Sequence, residues 1–270
     1  MLIDVSGHAV NIYTGGRPFD PSLPVAVLIH GAGHDHSVWN HQARSLAHRG
    51  VAVLAPDLPG HGQSLGQALG SIEVMATWLN ELLITLGIEH AALIGHSMGS
   101  LIALQTATHA PERVDRLILI GSVAPMPVAT PLLEAAHHDR DQAHAMINQW
   151  SYAASSQLGA SPSPGLVLTR VNRRLMERQA AGVLATDLAA CNAYVAGLDA
   201  AGSVRCPTAM ICGERDQMTP MRANRALRDA LANATGGTRI ITIKSAGHAM
   251  MAEAPNAVSE TILGLLSEPA

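Results

Sequence analysis

The chain has 270 residues, of which 48% are hydrophobic and only 14% charged, with a formal net charge of -4. That apolar content supports a large core and excludes a disordered chain. Lysine occurs once, at Lys244, and no Lys/Arg run appears, so a nucleic-acid partner would find no basic face.

The chain opens MLIDVSGHAV, with Asp4 where a secretory signal would be positive. Segments 2–5 and 8–13 are short and partly β-branched, and should pair at one edge of a sheet. The run PVAVLI at 24–29 has the continuous apolar character of a strand buried on both faces. Segments 51–55, 91–94, 116–120, 208–212 and 239–243 read the same way. Between them lie helical patterns. The clearest spans 71–86, with Ser71 as N-cap, Gly87 beyond its end, and Ile72, Met75, Leu79, Leu82, Leu83 and Leu86 on one face. Trp78 on that helix reads as packing.

Alternating strands and helices predict an α/β fold, a mostly parallel sheet flanked by helices. In such sheets ligands bind beyond the carboxyl ends of the strands. The alternation stops over 122–203, which opens APMPVATP and carries helical patterns around 132–152 and 166–198, divided by a polar break. We therefore expect a core of 1–121 and 204–270, and a helical cap of 122–203 over the carboxyl edge. The strongest membrane candidate, 91–107, is interrupted by Gly95, His96, Ser97, Gly99 and Ser100, so no membrane association is expected. Cys191, Cys206 and Cys212 cannot all pair within one chain and match no zinc spacing. They predict a reduced, cytoplasmic protein with buried thiols.

The segment AALIGHSMGS at 91–100 runs from a strand into a helix through Gly95-His96-Ser97-Met98-Gly99. This is G-x-S-x-G in the strand–turn–helix setting it requires. The residues two before and two after the serine approach closely, so a side chain at either would clash. The turn would expose Ser97 as nucleophile and aim the Met98 amide, at a helix start, toward a developing oxyanion. A chance serine between glycines is the bland alternative, which the strand and helix on either side disfavour.

A serine hydroxyl needs a base, and there are 14 histidines to choose from. His248 lies in SAGHAMMAEAP, directly after the last strand, which places it at the carboxyl edge. The orienting acid should follow the strand before it, where GERDQMTP offers Glu214 and Asp216. Asp216 is preferred, because a short carboxylate beside Thr219-Pro220 is easily held rigid. The order Ser97, Asp216, His248 is that of an α/β-type serine hydrolase. The loop HGAGHDHSVW should supply the second oxyanion donor, the Ala32 amide or, as the alternative, that of Gly33. His30 should hold this loop by hydrogen bonds. His34, Asp35 and His36 suggest a metal, but neighbouring loop residues seldom converge on one ion. No G-x-G-x-x-G strand-to-helix turn is present either, so neither cofactor nor metal is expected.

The segments HGAGHDHSVW, DLPGHGQS, GHSMGS, GERDQMTP and AGHAMMAEAP together resemble the α/β-hydrolase superfamily, in particular its cap-bearing esterase and C–C-hydrolase-like branch. The resemblance covers 2–121 and 204–266 and fades in the cap. It implies a sheet of about eight strands. Ser100 stands where many relatives have a third glycine, and Ser122 and Val123 occupy the alternative place for the acid, which favours Asp216.

The expected activity is hydrolysis of a small to medium, uncharged carboxylic ester through an acyl-enzyme. The alternatives are a slow-turnover ligand receptor, or C–C hydrolase, lyase or oxygenase chemistry using the same histidine as base. In the cap, Met126, Met146 and Trp150 are the candidate pocket residues, within a larger apolar set that must also form the cap's own core. Arg170, Arg173, Arg174 and Arg178 read as a solvated helix face. The expected partner is a small molecule alone; oligomeric state is left open.

Overall fold

The structure is a computed structural model and describes residues 1–268. Eight strands form one sheet in the order β1-β2-β4-β3-β5-β6-β7-β8. The strands are β1 (Leu2–Val5), β2 (His8–Tyr13), β3 (Val25–Ile29), β4 (Ala52–Pro56), β5 (Ala91–His96), β6 (Val114–Ile120), β7 (Thr208–Gly213) and β8 (Thr238–Ile243). β1 and β2 pair antiparallel at one edge, β2 joins β4 antiparallel, and all pairings from β4 through β8 are parallel.

Side chains alternate across the pleat, so each central strand feeds two cores. Val27, Ile29, Leu93, Leu117 and Leu119 face one layer of helices. Ala26, Leu28, Ile94, Ile118 and Ile120 face the other. The first layer is built by α2 (Ile72–Thr85) and α3 (Met98–His109), the second by α1 (Asn40–Ala47) and the C-terminal helix. Ser71 caps α2 by accepting the Val74 amide, and Ile72, Met75, Leu79, Leu82 and Leu83 are all buried. Each such side chain contributes roughly 1.5–3 kcal/mol by leaving water.

Between β6 and β7 the chain forms α4 (Thr130–His138), α5 (Arg140–Ser151), α6 (Ala154–Gln157), α7 (Leu168–Glu177), α8 (Val183–Ala193) and α9 (Gly197–Ser203). The two long helical patterns of the sequence are thus each broken, the first at Asp139, whose carboxylate caps α5 by accepting the Gln142 amide. Leu132, Ala135, Ala143, Ile147, Met176, Leu184 and Leu188 form a small core within this insertion. Its C-terminal part behaves differently. Ala190, Cys191, Tyr194, Ala200 and Ala201 pack into the first core layer, so the insertion's own core ends near Leu188, well before residue 203. After β7 come α10 (Arg225–Ala230), α11 (Met250–Glu253) and α12 (Pro255–Leu266). No helix among the described residues is long and apolar enough to cross a membrane. Cys191 and Cys212 are buried, and Cys206 is partly so.

Candidate active site

Ser97 sits between the end of β5 and the start of α3 with φ 53° and ψ -119°, in the left-handed half of conformational space. A non-glycine residue held there costs about 1–3 kcal/mol, which the surrounding structure must offset. Packing explains how it is held. A Cβ on Gly95 would collide with the Gly99 carbonyl, and one on Gly99 would collide with the Ile29 carbonyl of β3. The glycines let strand end and helix start interlock, and the serine is left at the tip. Ser100 Oγ donates to the Ser97 carbonyl (2.5 Å), so the residue at the family's third glycine position ties the turn from within.

His248, in the loop between β8 and α11, lines the same cavity as Ser97. Its Nδ1 lies 2.8 Å from Asp216 Oδ2. Asp216 follows β7 and is saturated with donors: the Met218 and Thr219 amides on Oδ1 (each 2.8 Å), and the Thr219 hydroxyl on Oδ2 (2.7 Å). Burial opposes its ionisation, but the adjacent His248 and these donors outweigh it and hold the carboxyl at about 2. Glu214, the rejected acid, instead accepts the Ser245 amide at the surface. His96 does not reach the serine beside it. Its Nε2–H donates to the His248 carbonyl (3.0 Å), and the two rings lie 4.6 Å apart. Burial and the nearby His248 push the His96 pKa well down, so it is neutral and fixes the loop that carries His248.

The loop after β3 is pinned one peptide at a time. His30 Nδ1–H donates to the Gly31 carbonyl (2.9 Å) and its Nε2 accepts the Leu58 amide (3.1 Å), so both ring nitrogens tie backbone. Burial and the neighbouring His61 lower its pKa to about 4. His34 Nδ1–H donates to the Ala32 carbonyl (2.8 Å), and its Nε2 lies 2.8 Å from the Asn172 side chain of α7. The Gly33 amide donates to Asp187 Oδ2 on α8 (2.8 Å), and the His34 amide to the Gly31 carbonyl (3.4 Å). The Gly33 and His34 amides are thus engaged within the protein, whereas the Ala32 amide makes no hydrogen bond among the described residues, and Ala32 lines the cavity.

Asp35, His36 and Asp57 bring their ligand atoms within 4.8 Å of one another, a convergence that runs through Asp57 on the neighbouring strand end and not through His34. Every carboxylate oxygen there already accepts protein donors. Asp57 takes His36 N and Nδ1, Asn11 Nδ2 and Gln63 N, and Asp35 takes Ser37 N, Arg178 and Gln179. These acids tie loops together. Arg178 stays on the solvated face expected for it, but its guanidinium reaches back to the buried Asp35, whereas Arg173 and Arg174 pair at the surface with Glu177.

The cavity above Ser97 has a volume of about 410 Å³. Met126, Val128, Leu132, Ile147, Trp150, Leu166, Val171, Leu175 and Leu188 give it an apolar wall, and no Asp, Glu, Lys or Arg lines it among the described residues. Of the expected pocket residues, Met126 and Trp150 are in this wall. Met146 is not: it packs against the insertion's own core. The sequence reading also missed His61, whose Nε2 lies 2.8 Å from Asp187 Oδ2 with both side chains fully buried.

A profile of the Alpha/beta hydrolase family matches residues 26–261. Among curated proteins, the chain is 34% identical over 167 residues to a 2-hydroxy-6-oxononadienedioate/2-hydroxy-6-oxononatrienedioate hydrolase of Paraburkholderia phymatum, covering 56% of each chain. It is 38% identical over 99 residues to a pimeloyl-[acyl-carrier protein] methyl ester esterase of Aeromonas hydrophila, covering 37% of this chain and 38% of that one. The matches span 27 to 56% of the length of such relatives. Among solved structures, an enol-lactonase from Burkholderia xenovorans superposes with a TM-score of 0.85 at 23% identity, over 99% of this chain and 100% of that one. An esterase from Exiguobacterium antarcticum gives 0.83 at 21% identity, over 99% of each. At those identities the likeness is one of fold.

Proposed function

The chain belongs to the alpha/beta hydrolase family, and from that premise we propose that it is a serine hydrolase cleaving a small to medium, uncharged carboxylic ester or lactone. The observation that carries this reading is the convergence of Ser97, on its strained turn, and the His248–Asp216 pair on one apolar cavity. Asp216 holds the Nδ1–H tautomer of His248, which leaves Nε2 basic and free to take the Ser97 proton. Ser97 Oγ then attacks the carbonyl carbon, and the carbonyl oxygen gains the negative charge. The Met98 amide, unpaired because it opens α3, and the Ala32 amide stabilise that oxyanion. Collapse expels the alcohol, which takes its proton from His248. Water, deprotonated by the same histidine, attacks the acyl-enzyme and releases the acid.

The uncharged preference rests on the lining. A charged substrate would enter a low-dielectric space with no opposite charge to receive it, a cost of several kcal/mol. The same absence of a cation favours departure of the carboxylate product. By this argument the dicarboxylate in the name of the Paraburkholderia relative is a poor fit here. Residues 122–203 act as a cap that shapes the cavity and sets chain length. The test is kcat/KM across p-nitrophenyl esters of rising acyl length, with an anionic ester and a Ser97→Ala control. The expected profile peaks at short to medium chains. A monotonic rise through long chains, or preference for the anionic ester, overturns the substrate reading.

A further inference from the structure

Asp187 is a carboxylate with no part in the reaction as described, yet it is fully buried in α8 among alanines and leucines. Its Oδ2 accepts two hydrogen bonds of 2.8 Å, one from His61 Nε2–H and one from the Gly33 amide. Its Oδ1 is buried without a partner. His61 presents its other nitrogen, Nδ1, to the Pro59 carbonyl at 3.0 Å. Both ring nitrogens therefore face acceptors, which only the imidazolium satisfies with two N–H donors. Although burial disfavours that charge, Asp187 raises the His61 pKa.

The Gly33 amide belongs to the same planar peptide unit as the Ala32 carbonyl, which accepts from His34 Nδ1. The preceding unit joins the Gly31 carbonyl, held by His30, to the Ala32 amide. Ala32 thus lies between two pinned planes, one fixed by the sheet core and the other by the insertion. Gly33 has φ +65°, and a Cβ on it would come within 2.8 Å of Leu184 Cδ1, so α8 packs directly on this loop. Leu184 and Asp187 meet the loop, while Leu188 and Cys191, on the next turn, line the cavity.

We propose that Asp187 is a positioning residue for the oxyanion hole: it fixes the Ala32–Gly33 peptide from the cap side, so that the Ala32 amide is aimed correctly only while α8 is docked. The inference rests on the reading of Ala32 as an oxyanion donor. It makes catalytic competence depend on cap docking, since one carboxylate oxygen both pairs with His61 and holds the loop.

The experiment measures kcat and KM for a matched ester and thionoester, normalised to active serine by fluorophosphonate titration, in wild type, Asp187→Asn and Asp187→Ala. Sulfur in place of the carbonyl oxygen accepts oxyanion-hole hydrogen bonds poorly, so the ester-to-thionoester ratio of kcat reads the hole itself. Asp187→Ala is expected to lower kcat for the ester about 10- to 100-fold, with KM within about threefold. The ratio should fall in graded order, Asp above Asn above Ala, because the carboxamide oxygen can still accept the Gly33 amide. A ratio unchanged from wild type in Asp187→Ala overturns the proposal, even if kcat or stability drops. Should the alanine variant not fold, the asparagine ratio alone decides: below wild type it supports the proposal, equal to wild type it refutes it. Ser97→Ala in parallel separates the two levels, because an active Ser97→Ala enzyme would remove the underlying reading whatever Asp187 does.

Discussion

Two of the histidine–aspartate pairs in this molecule, each 2.8 Å long, differ in what their remaining atoms do. In His248–Asp216 the carboxylate is saturated by Thr219 and Met218 donors, and the pair opens on the cavity. In His61–Asp187 the histidine is saturated, by Pro59 and Asp187, and it is the carboxylate that keeps a bare oxygen. The first arrangement fixes the acid and leaves the base one working nitrogen. The second gives the imidazole no lone pair to offer and no room to turn. On the proposed reading, identical side chains at identical distance serve as a proton carrier in one place and a clamp in the other. The surplus hydrogen bonds decide which.

The sharpest way to break this comparison is to remove the working nitrogen and its target. Ser97→Ala and His248→Ala should each lower kcat by roughly four to six orders of magnitude, measured per folded protein on the best ester of the panel. A loss under tenfold for Ser97→Ala would mean that hydrolysis does not pass through this serine.

Asp216→Asn should cost somewhat less, about three to four orders of magnitude in kcat, because the base survives in a poor tautomer. Asp216 Oδ1 also anchors the Met218 and Thr219 amides, so the asparagine must keep its oxygen there and turn its NH2 toward His248. Glu214→Gln should leave kcat within about twofold, as that side chain meets the Ser245 amide and Arg215 at the surface, away from His248. The reverse result would move the orienting role to Glu214.

How far the sequence carried the site follows from the kind of signal each residue leaves. Ser97, Asp216 and His248 were legible because each follows an apolar strand, and the parallel sheet sends those strand ends to one edge. Six of the eight strands were legible as apolar runs, and β1 and β2 as short, partly β-branched segments that pair at one edge, though their antiparallel sense was not read. Asp187 was not, although a lone acid in the apolar run VLATDLAAC of α8 is a cue in hindsight. Its partners, His61 and Gly33, lie more than 120 residues away, and no local period reports such a contact. The misplacement of Met146 has a similar origin. Met146 and Trp150 are four residues apart and share one side of α5, so periodicity alone does not say which of the two reaches the cavity. The boundary of the insertion was blurred because α9 is helical like the rest while packing on the sheet layer.

The two kinds of buried histidine should also separate in a pH profile of stability. His30 is neutral with its pKa lowered to about 4, and His96 is lowered in the same direction by its burial. A depressed histidine stabilises the fold above the unfolded value near 6.5 and loses that contribution as pH falls toward the folded value. For His30 this amounts to about 3 kcal/mol between pH 6.5 and 4. His61 has the opposite sign. Its raised pKa gives stability that is complete below 6.5 and is lost as pH rises through the folded value. Urea midpoints from pH 4 to 10 should therefore fall on both sides of neutrality. Asp187→Asn, which removes the charge that raises His61, should flatten the alkaline limb and leave the acid limb in place. An alkaline limb of wild-type steepness in that variant would show that His61 is not held as an imidazolium.

The smallest expected effect draws the same contrast, between a side chain turned to the ligand and one turned to the fold, on a single helix. Trp150 and Met146 lie four residues apart on α5 and both pack against the insertion's core, but only Trp150 also lines the cavity. Trp150→Ala removes apolar wall that a bound acyl or alkoxy group would touch. If that contact is equal in ground and transition states, KM should rise about three- to tenfold with kcat nearly unchanged. Met146 is only partly buried, so Met146→Ala should cost about 1–2 kcal/mol of stability, below the cost at a fully buried site. Its KM should stay within about twofold of wild type, because no substrate atom loses a neighbour. The two variants need only steady-state kinetics and a urea curve each. A Met146→Ala enzyme with raised KM and unaltered stability would mean that Met146, one turn before Trp150 on the same side of α5, also reaches the substrate, and the cavity wall would have to be redrawn from that helix outward.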